Sequence, residues 1–449
     1  MNEKRARQQL SRRQLLKLGT QGALLVAAGS LLPGTIARLA SRLNSNEARA
    51  ARSSPGLAAP ASSGPAAPAS SPVIVPKRLV ATDGFIKLIG REDNPLYVFG
   101  FREAPLGAPI SELADLKGNV QAPAPIIWVD EDDELHLTVT NIGLVVRPDL
   151  DDAHTVHWHG FRDAIPYFDG EPHGSVAVPI GKDFTYVYRP HEPGTYMYHC
   201  HIEDVEHVQM GMTGMVFVRP AQDGNTSPYP SGKYAYNDGD GSTGFDREFV
   251  MLLTEVWAEA HWDDAHIQLP EWSDYKADFS LLNGRVYPDT LAPSGSVDPF
   301  NPATDANGDL IPTPGYGRLQ YQPNSSLVQC NEGERVLLRF ANLGFLHATM
   351  SLAGIKMRVV GEDATPKRSR DGTDTSYMTN SISISAGASY DAIFTAPPYV
   401  PEAAGYNTYL LYNRNYRSAN NLGGGYGGQM TEVRVFQTGT LGPQALPNT

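Results

Sequence analysis

Two short histidine-rich motifs carry most of the metal-binding chemistry in this chain. The first is His154-Thr-Val-His157-Trp-His159-Gly160. The second runs Gly194-Thr-Tyr-Met-Tyr-His199-Cys200-His201-Ile-Glu-Asp-Val-Glu-His207-Val-Gln-Met210-Gly-Met212. On a strand, alternate residues share a face, so His157 and His159 point the same way, as do His199 and His201. His154 and Cys200 then fall on the opposite face, with His207 and a methionine supplied by the following loop. Two imidazoles, one thiolate and a weak thioether are the ligand set of a blue-copper electron-transfer site. The other four histidines form a second ligand cluster on the same two strands. Six of the chain's 12 histidines lie in or just after these motifs, a concentration that core packing alone does not explain. A single cysteine with a methionine disfavours structural zinc and favours copper.

The elements that hold these motifs read as short strands. Glycine (43), proline (35) and tyrosine (21) are abundant, which favours strands joined by turns over long helices. Ile126 to Asn141 predicts two alternating strands around an acidic turn, and Ser326 to Asn342 repeats the shape. Asn141-Ile-Gly143 matches Asn342-Leu-Gly344, each followed by a histidine-bearing segment. The chain is therefore expected to be all-β, with two β-sandwich domains at residues 73–220 and 246–440. The polar, Gly-rich stretch Ala221–Phe245 predicts a loop or linker between them.

With 449 residues, the soft prior of about 150 per domain also gives two or three domains. A formal charge of −13 argues against a nucleic-acid partner held through phosphates. Two cysteines, Cys200 and Cys330, exclude a disulfide framework, and Cys330 reads as a small buried hydrophobe. Residues 1–48 predict a twin-arginine export signal: Ser11-Arg-Arg-Gln-Leu-Leu-Lys17 precedes an apolar stretch from Gly22 to Ala37, too short for the ~20 residues of a membrane span. Residues 49–72, rich in Ala, Ser and Pro, predict a flexible tether. The expected location is periplasmic, cell-surface or extracellular, with no stable membrane span after processing.

His-x-x-His-x-His-Gly, then His-Cys-His with a downstream His and Met, resembles the multicopper oxidases, the laccase-like enzymes built from cupredoxin domains. Pro123-Ala-Pro125, Asp169-Gly170 and Gly194-Thr195-Tyr196 extend the likeness over residues 85–220, and Leu281-Leu-Asn-Gly-Arg-Val-Tyr-Pro288 resembles the family's second domain. The resemblance implies two cupredoxin-like Greek-key sandwiches. It implies a type 1 copper on His154, Cys200, His207 and, five residues further, Met212. It implies type 2 copper on His157 and a type 3 pair on His159, His199 and His201. The implied activity takes electrons from a small reducing substrate or a redox protein and passes them through His199, Cys200 and His201 to a cluster that reduces dioxygen. One departure is the step from Cys200 to His207, seven residues against the five of typical laccases.

The second repeat departs further. Met350, Leu352, Asn413 and Asn415 stand where the four cluster histidines stand in the first, and Arg414 stands for the cysteine. A family trinuclear cluster takes eight histidines and one chain supplies four. The second domain is thus read as a scaffold, and the missing ligands imply a homo-oligomer, a trimer for this architecture, with the cluster at a subunit interface. The competing class is a blue-copper electron carrier or copper-binding protein without an oxygen-reducing cluster. A nitrite-reductase-like enzyme is disfavoured by His157, which stands where that family has its catalytic Asp. Of the remaining histidines, His261 and His266 are expected in a polar surface segment, and His347 is a further possible ligand. Glu203-Asp-Val-Glu206 reads as a solvated acidic face.

Overall fold

In a computed structural model, residues 72–295, 303–421 and 425–449 are described. The expected export signal, and all of the tether except Pro72, lie outside these residues. Eight strands build the first sandwich: β1 (Ile74–Ile86), β2 (Leu96–Glu103), β3 (Ile127–Asp130), β4 (Glu134–Asn141), β5 (His157–His159), β6 (Asp183–Tyr188), β7 (Gly194–His199) and β8 (Thr213–Arg219). They form two four-stranded sheets, β2-β1-β4-β6 and β3-β8-β7-β5. The two strands read around the acidic turn therefore belong to different sheets, and the turn carries the chain across the sandwich. Alternation sends Leu135, Leu137 and Val139 of β4 inward to meet Trp158, Tyr198, Val216 and Val218. Trp158 is fully buried and stacked on Tyr188 at 5.9 Å between centroids. Truncating such a ring to alanine costs roughly 3–5 kcal/mol, so β5, only three residues long, is held by its central side chain.

The second sandwich repeats the plan with β9 (Arg247–Val256), β10 (Phe279–Leu282), β11 (Val328–Asn331), β12 (Arg335–Asn342), β13 (Ala348–Leu352), β14 (Met357–Glu362), β15 (Thr365–Pro366), β16 (Tyr377–Thr379), β17 (Ser381–Ile384), β18 (Ser389–Thr395), β19 (Asn407–Asn413) and β20 (Met430–Phe436). One sheet runs β10-β9-β12-β18-β14-β15 and the other β11-β20-β19-β13-β17. The matched asparagines do the same work in both halves. Asn141 donates to the carbonyls of Asp152 and Val178 and accepts from Gly143, while Asn342 donates to Leu346 and Ile384 and accepts from Gly344. Asp83 and Glu255 are a second such pair: each caps two consecutive amides, Val145 and Val146 or Phe345 and Leu346. Cys330 is buried, its thiol pushed up to about 12 by desolvation.

The stretch Ala221–Phe245 runs as turns and bends without a helix or strand, and it is packed rather than loose. Tyr234, Ala235, Tyr236 and Phe245 are buried, and Tyr236 Oη donates to Asp391 at 2.6 Å. The same carboxylate accepts from Thr195 of β7 at 2.6 Å, and the buried Arg339 guanidinium lies between Glu248 (2.9 Å) and Asp391 (3.5 Å). Removing one partner of this buried ion network, which lies wholly within the second sandwich, costs about 3–5 kcal/mol, and the bond from Thr195 to Asp391 ties the first sandwich to it. The aromatic side chains of the stretch find partners both within it, where Tyr234 Oη donates to Asn225 O, and in distant strands, where Tyr236 reaches Asp391. Three short helices complete the parts used below: α1 (Pro166–Asp169), α2 (Asp204–Met210) and α3 (Ala258–Ala265). Among the described residues no helix is long and apolar enough to cross a membrane.

Candidate metal centre

Cys200 follows directly on β7, inside the core. Its Sγ lies 3.2 Å from His207 Nδ1 and 3.8 Å from His154 Nδ1, and the Thr155 amide donates to it at 3.4 Å. The three ligand atoms of His154, Cys200 and His207 fall within 4.8 Å of one another, and all three residues are buried. His207 comes from α2, not from the loop the sequence suggested. The helix is closed by Met212, whose amide donates to His207 O (2.9 Å) and whose carbonyl accepts from Cys200 N (3.1 Å). Met210 and Met212 are both buried, in the same core cluster as Cys200. Met210 also lines a small cavity against Glu255 and His261 of the second sandwich, and Met212 does not.

Burial alone would push the Cys200 thiol up, but the facing imidazoles of His207 and His154 overcome it and bring it down to about 5. Burial likewise opposes a charge on His207, yet the thiolate and Asp152 raise it to about 10. His207 Nε2 is buried without a hydrogen bond, and the Asp152 carboxylate stands 3.6 Å from it, an ion-pair separation. Two Nδ1 atoms aimed at one buried thiolate are a soft, charge-ready donor set that fits copper.

On the opposite face the register pairs His157 of β5 with His199 of β7. Ring centroids are 5.3 Å apart for His157–His199, 5.0 Å for His157–His201, 5.4 Å for His159–His199 and 5.4 Å for His199–His201. All four rings therefore meet. Strand alternation does not account for His201, because β7 ends at His199. A turn places it instead, with its amide donating to Thr155 Oγ1 at 3.0 Å. Backbone carbonyls orient the rings: His157 Nδ1 donates to Asp169 O (2.9 Å) and His199 Nδ1 to Cys200 O (2.8 Å), leaving both Nε2 atoms as ligands. His159 is turned the other way, Nε2 donating to Gly387 O at 3.0 Å and Nδ1 lying 3.2 Å from His199 Nε2. His157, His159 and His199 offer nitrogens within 4.8 Å of one another. Desolvation takes His199 down to about 3 and lowers His159, so both stand neutral, the state a metal needs.

At the same positions of the second sandwich, β13 and β19 pair Met350 with Asn413 and Leu352 with Leu411. Asn415 follows with its amide on Asn413 Oδ1, and no imidazole is present there. His347 is exposed. The segment holding His261 and His266 is not the polar surface stretch expected. It forms α3, with His261 buried and its Nδ1 donating to Tyr97 O of β2 at 2.5 Å, while His266 is exposed. Three residues of the site were missed in the sequence: Asp152 beside His207, Thr155 against Cys200 and His201, and Asp169 under His157. Asp152 and Thr155 flank His154, and Asp169 was noted only as part of a motif.

Residues 115–223 and 248–421 each match a multicopper oxidase family domain. Laccase-1 of Emericella nidulans is 35% identical over 180 residues, 37% of this chain and 26% of that protein. Laccase ustL of Ustilaginoidea virens is 38% identical over 104 residues, 22% of this chain and 14% of that protein. The matched stretch is thus no more than about a quarter of these curated relatives. Among solved structures, a blue copper oxidase from Nitrosomonas europaea superposes with a TM-score of 0.56 at 20% identity, covering 81% of this chain and 86% of that one. A copper nitrite reductase from the same organism gives 0.51 at 18%, covering 83% and 96%. At these identities they show the shared fold, two cupredoxin-like sandwiches. The two matched domains, the first of which contains the His-Cys-His site, place the chain in the multicopper oxidase family.

Proposed function

We propose that this chain is an exported, copper-dependent oxidoreductase of the multicopper oxidase type. His154, Cys200, His207 and Met212 hold a blue copper, and His157, His159, His199 and His201 hold further copper of the type 2 and type 3 kind. Copper held by the thiolate set would supply one-electron oxidation of a reducing substrate, and copper held by the histidine cluster would supply the reduction of dioxygen. The observation that carries the reading is the junction at Cys200: its side chain faces the first donor set, while its two chain neighbours face the second. His199 Nδ1 donates to the carbonyl of Cys200 itself, so a covalent and a hydrogen-bonded path leave the same residue. Burial of Cys200, His154 and His207 keeps water from the thiolate.

The test is copper content with oxygen consumption. A copper-loaded chain that takes up oxygen with a reducing donor, and holds clearly more than one copper per chain, supports the oxidase. About one copper per chain without oxygen uptake makes it an electron carrier instead. That second reading is favoured by the second sandwich, whose Met350, Leu352 and Asn413 offer no imidazole to complete a cluster. The oxidase reading therefore includes a homo-oligomer, with a trimer favoured, in which neighbouring half-clusters complete each other. Light scattering with oxygen uptake on dilution checks this, because a monomer active at full rate removes the need for a shared cluster.

A further inference from the structure

The outer face of the larger sheet of the second sandwich is only partly covered. Leu337 of β12 and Ile393 of β18 pack there against Ala235, Tyr236 and Phe245 of the Ala221–Phe245 stretch. Beside Ser242 of that stretch, a cavity of about 590 Å³ opens on the same face. Register dictates what lines it. Arg335 of β12 stands opposite Thr395 of β18, Arg358 of β14 opposite Ile393, and Met378 of β16 opposite Arg358. Opposed residues share a face, and Ile393 and Thr395 are alternate residues of one strand, so all five side chains stand on the outer face. Lys356, the residue before β14, lines the same cavity.

The two guanidinium groups are drawn together. Both donate to one carbonyl, Ser242 O, and Arg335 also donates to Gly241 O at 3.0 Å. Arg335 lies over the Tyr229 ring at 4.7 Å, and among the described residues its guanidinium pairs with no carboxylate. Arg358 has one, the exposed Asp374, at 3.5 Å. Lys356 is exposed and forms no ion pair among the described residues. No carboxylate is among the described residues that line the cavity. Three cations of a chain with a formal charge of −13 thus meet at one hollow, with a single carboxylate beside them. Desolvation and the neighbouring Arg358 charge hold the Arg335 guanidinium below its ordinary value, outweighing Tyr229, Asp246 and Asp238. Like charges held this close repel, and an anion between them relieves the repulsion.

We propose that this cavity binds a phosphate monoester, its phosphoryl oxygens held by Arg335, Arg358 and Lys356 and its organic body laid against Met378, Ile393 and Pro397. Small-molecule sites run from about 300 to 1,000 Å³, so the space admits an anionic group together with an organic body. A carboxylate offers one charge. A phosphate monoester near neutral pH carries about two, with three acceptor oxygens, which matches three cationic donors. Met378, 56% exposed, and the neighbouring Ile393 and Pro397 give the body an apolar wall. The net negative charge of the chain opposes the approach of a long polyanion, so a single phosphoryl group fits the site and a nucleic acid does not.

Titration calorimetry on the copper-loaded protein compares phenyl phosphate with inorganic phosphate and with benzoate. Phenyl phosphate is expected to bind about tenfold more tightly than either. Bound copper can also take phosphate, so the variants rather than the wild type locate the binding. Lys356→Gln and Arg358→Gln should each weaken phenyl phosphate about tenfold. Met378→Ala should weaken phenyl phosphate and leave inorganic phosphate unchanged. Lys182→Gln, at an exposed lysine just before β6, should change neither. Lys356 has no ion pair to lose, so its variant should keep the wild-type melting temperature and visible spectrum. Wild-type affinity in both Lys356→Gln and Arg358→Gln, or no binding to the wild type, overturns the site. Inorganic phosphate that binds as tightly as phenyl phosphate overturns the ester, and benzoate that does so overturns the choice of a phosphoryl group. No arm reads oxygen uptake or the thiolate, so the cavity is decided apart from the oxidase reading.

Discussion

His159 Nε2 donates to the backbone carbonyl of Gly387, 228 positions along the chain, at 3.0 Å. The first sandwich's histidine cluster is thereby oriented by a turn of the second, between β17 and β18. This gives a scaffold domain without ligands a definite task, since it decides which nitrogen of His159 faces the other rings. Gly387 has φ +79°, and a Cβ there would stand 3.1 Å from His159 Nε2. Gly387→Ala should cost about 1–2 kcal/mol from the left-handed backbone alone and push the ring out of place. The expected outcome is lost cluster copper and lost oxygen uptake with the blue band kept, read by copper analysis beside the visible spectrum. A variant with full copper content and unchanged uptake would show that the contact does not orient the ring.

The colour itself is set in one domain. Cys200→Ser keeps a polar atom for the Thr155 amide, so the chain should still fold, with a melting temperature close to the wild type. Without the thiolate the intense visible charge-transfer band should vanish while copper at the cluster remains. A serine variant that stays blue, or a wild type that loads copper without colour, would move the thiolate site elsewhere.

The two methionines make separate predictions. Met212 closes α2 onto the strand end through hydrogen bonds with His207 and Cys200, whereas Met210 faces the cavity between the sandwiches. A weak axial ligand tunes a blue site more than it binds it. Met212→Leu should therefore raise the reduction potential by tens of millivolts and keep the colour. Met210→Leu, a swap of similar volume, should cost under about 1.5 kcal/mol of stability and leave the potential alone. Redox titration of both variants checks the pair, and the reverse pattern would make Met210 the ligand.

What the sequence made legible here followed from local periodicity. His157 and His159 share a face because β5 is a strand, and β7 carries His199 opposite them, so two-residue alternation found that half of the cluster. Alternation could not reach His201, which lies past the end of β7, nor show that His207 rides on a helix, because both depend on how the chain turns after Cys200. The matched Asn-x-Gly triplets were visible as a repeat, and their hydrogen bonds are the same in both halves. His261 was misread for a different reason. Its helix looks polar, and its Nδ1 finds its partner in the Tyr97 carbonyl, 164 positions away. Asp152 and Asp169 carry no local signal either, since a carboxylate near a histidine is common and only the folded chain shows which nitrogen each one faces.

The paired caps Asp83 and Glu255 lead to a prediction about pH. Glu255 is buried and accepts from the amides of Phe345 (2.7 Å) and Leu346 (3.4 Å), with no cation among its hydrogen-bonding partners. Desolvation outweighs those amides and raises its carboxyl to about 7 from 4.5. A group whose folded value is raised contributes stability that is present in full below the unfolded value and is lost as pH rises through the folded one. The window here is therefore from about pH 4.5 to 7, and full ionisation costs on the order of 3 kcal/mol. Glu255→Gln cannot ionise and retains an oxygen for the Phe345 amide, so its own penalty should not depend on pH. The wild type's stability advantage over this variant should shrink, or reverse, between pH 4.5 and pH 8. Urea denaturation of both copper-free proteins across that range measures the difference directly. A difference that stays constant with pH would mean that Glu255 ionises in the folded chain as it does in the unfolded one, and that its burial carries no electrostatic cost.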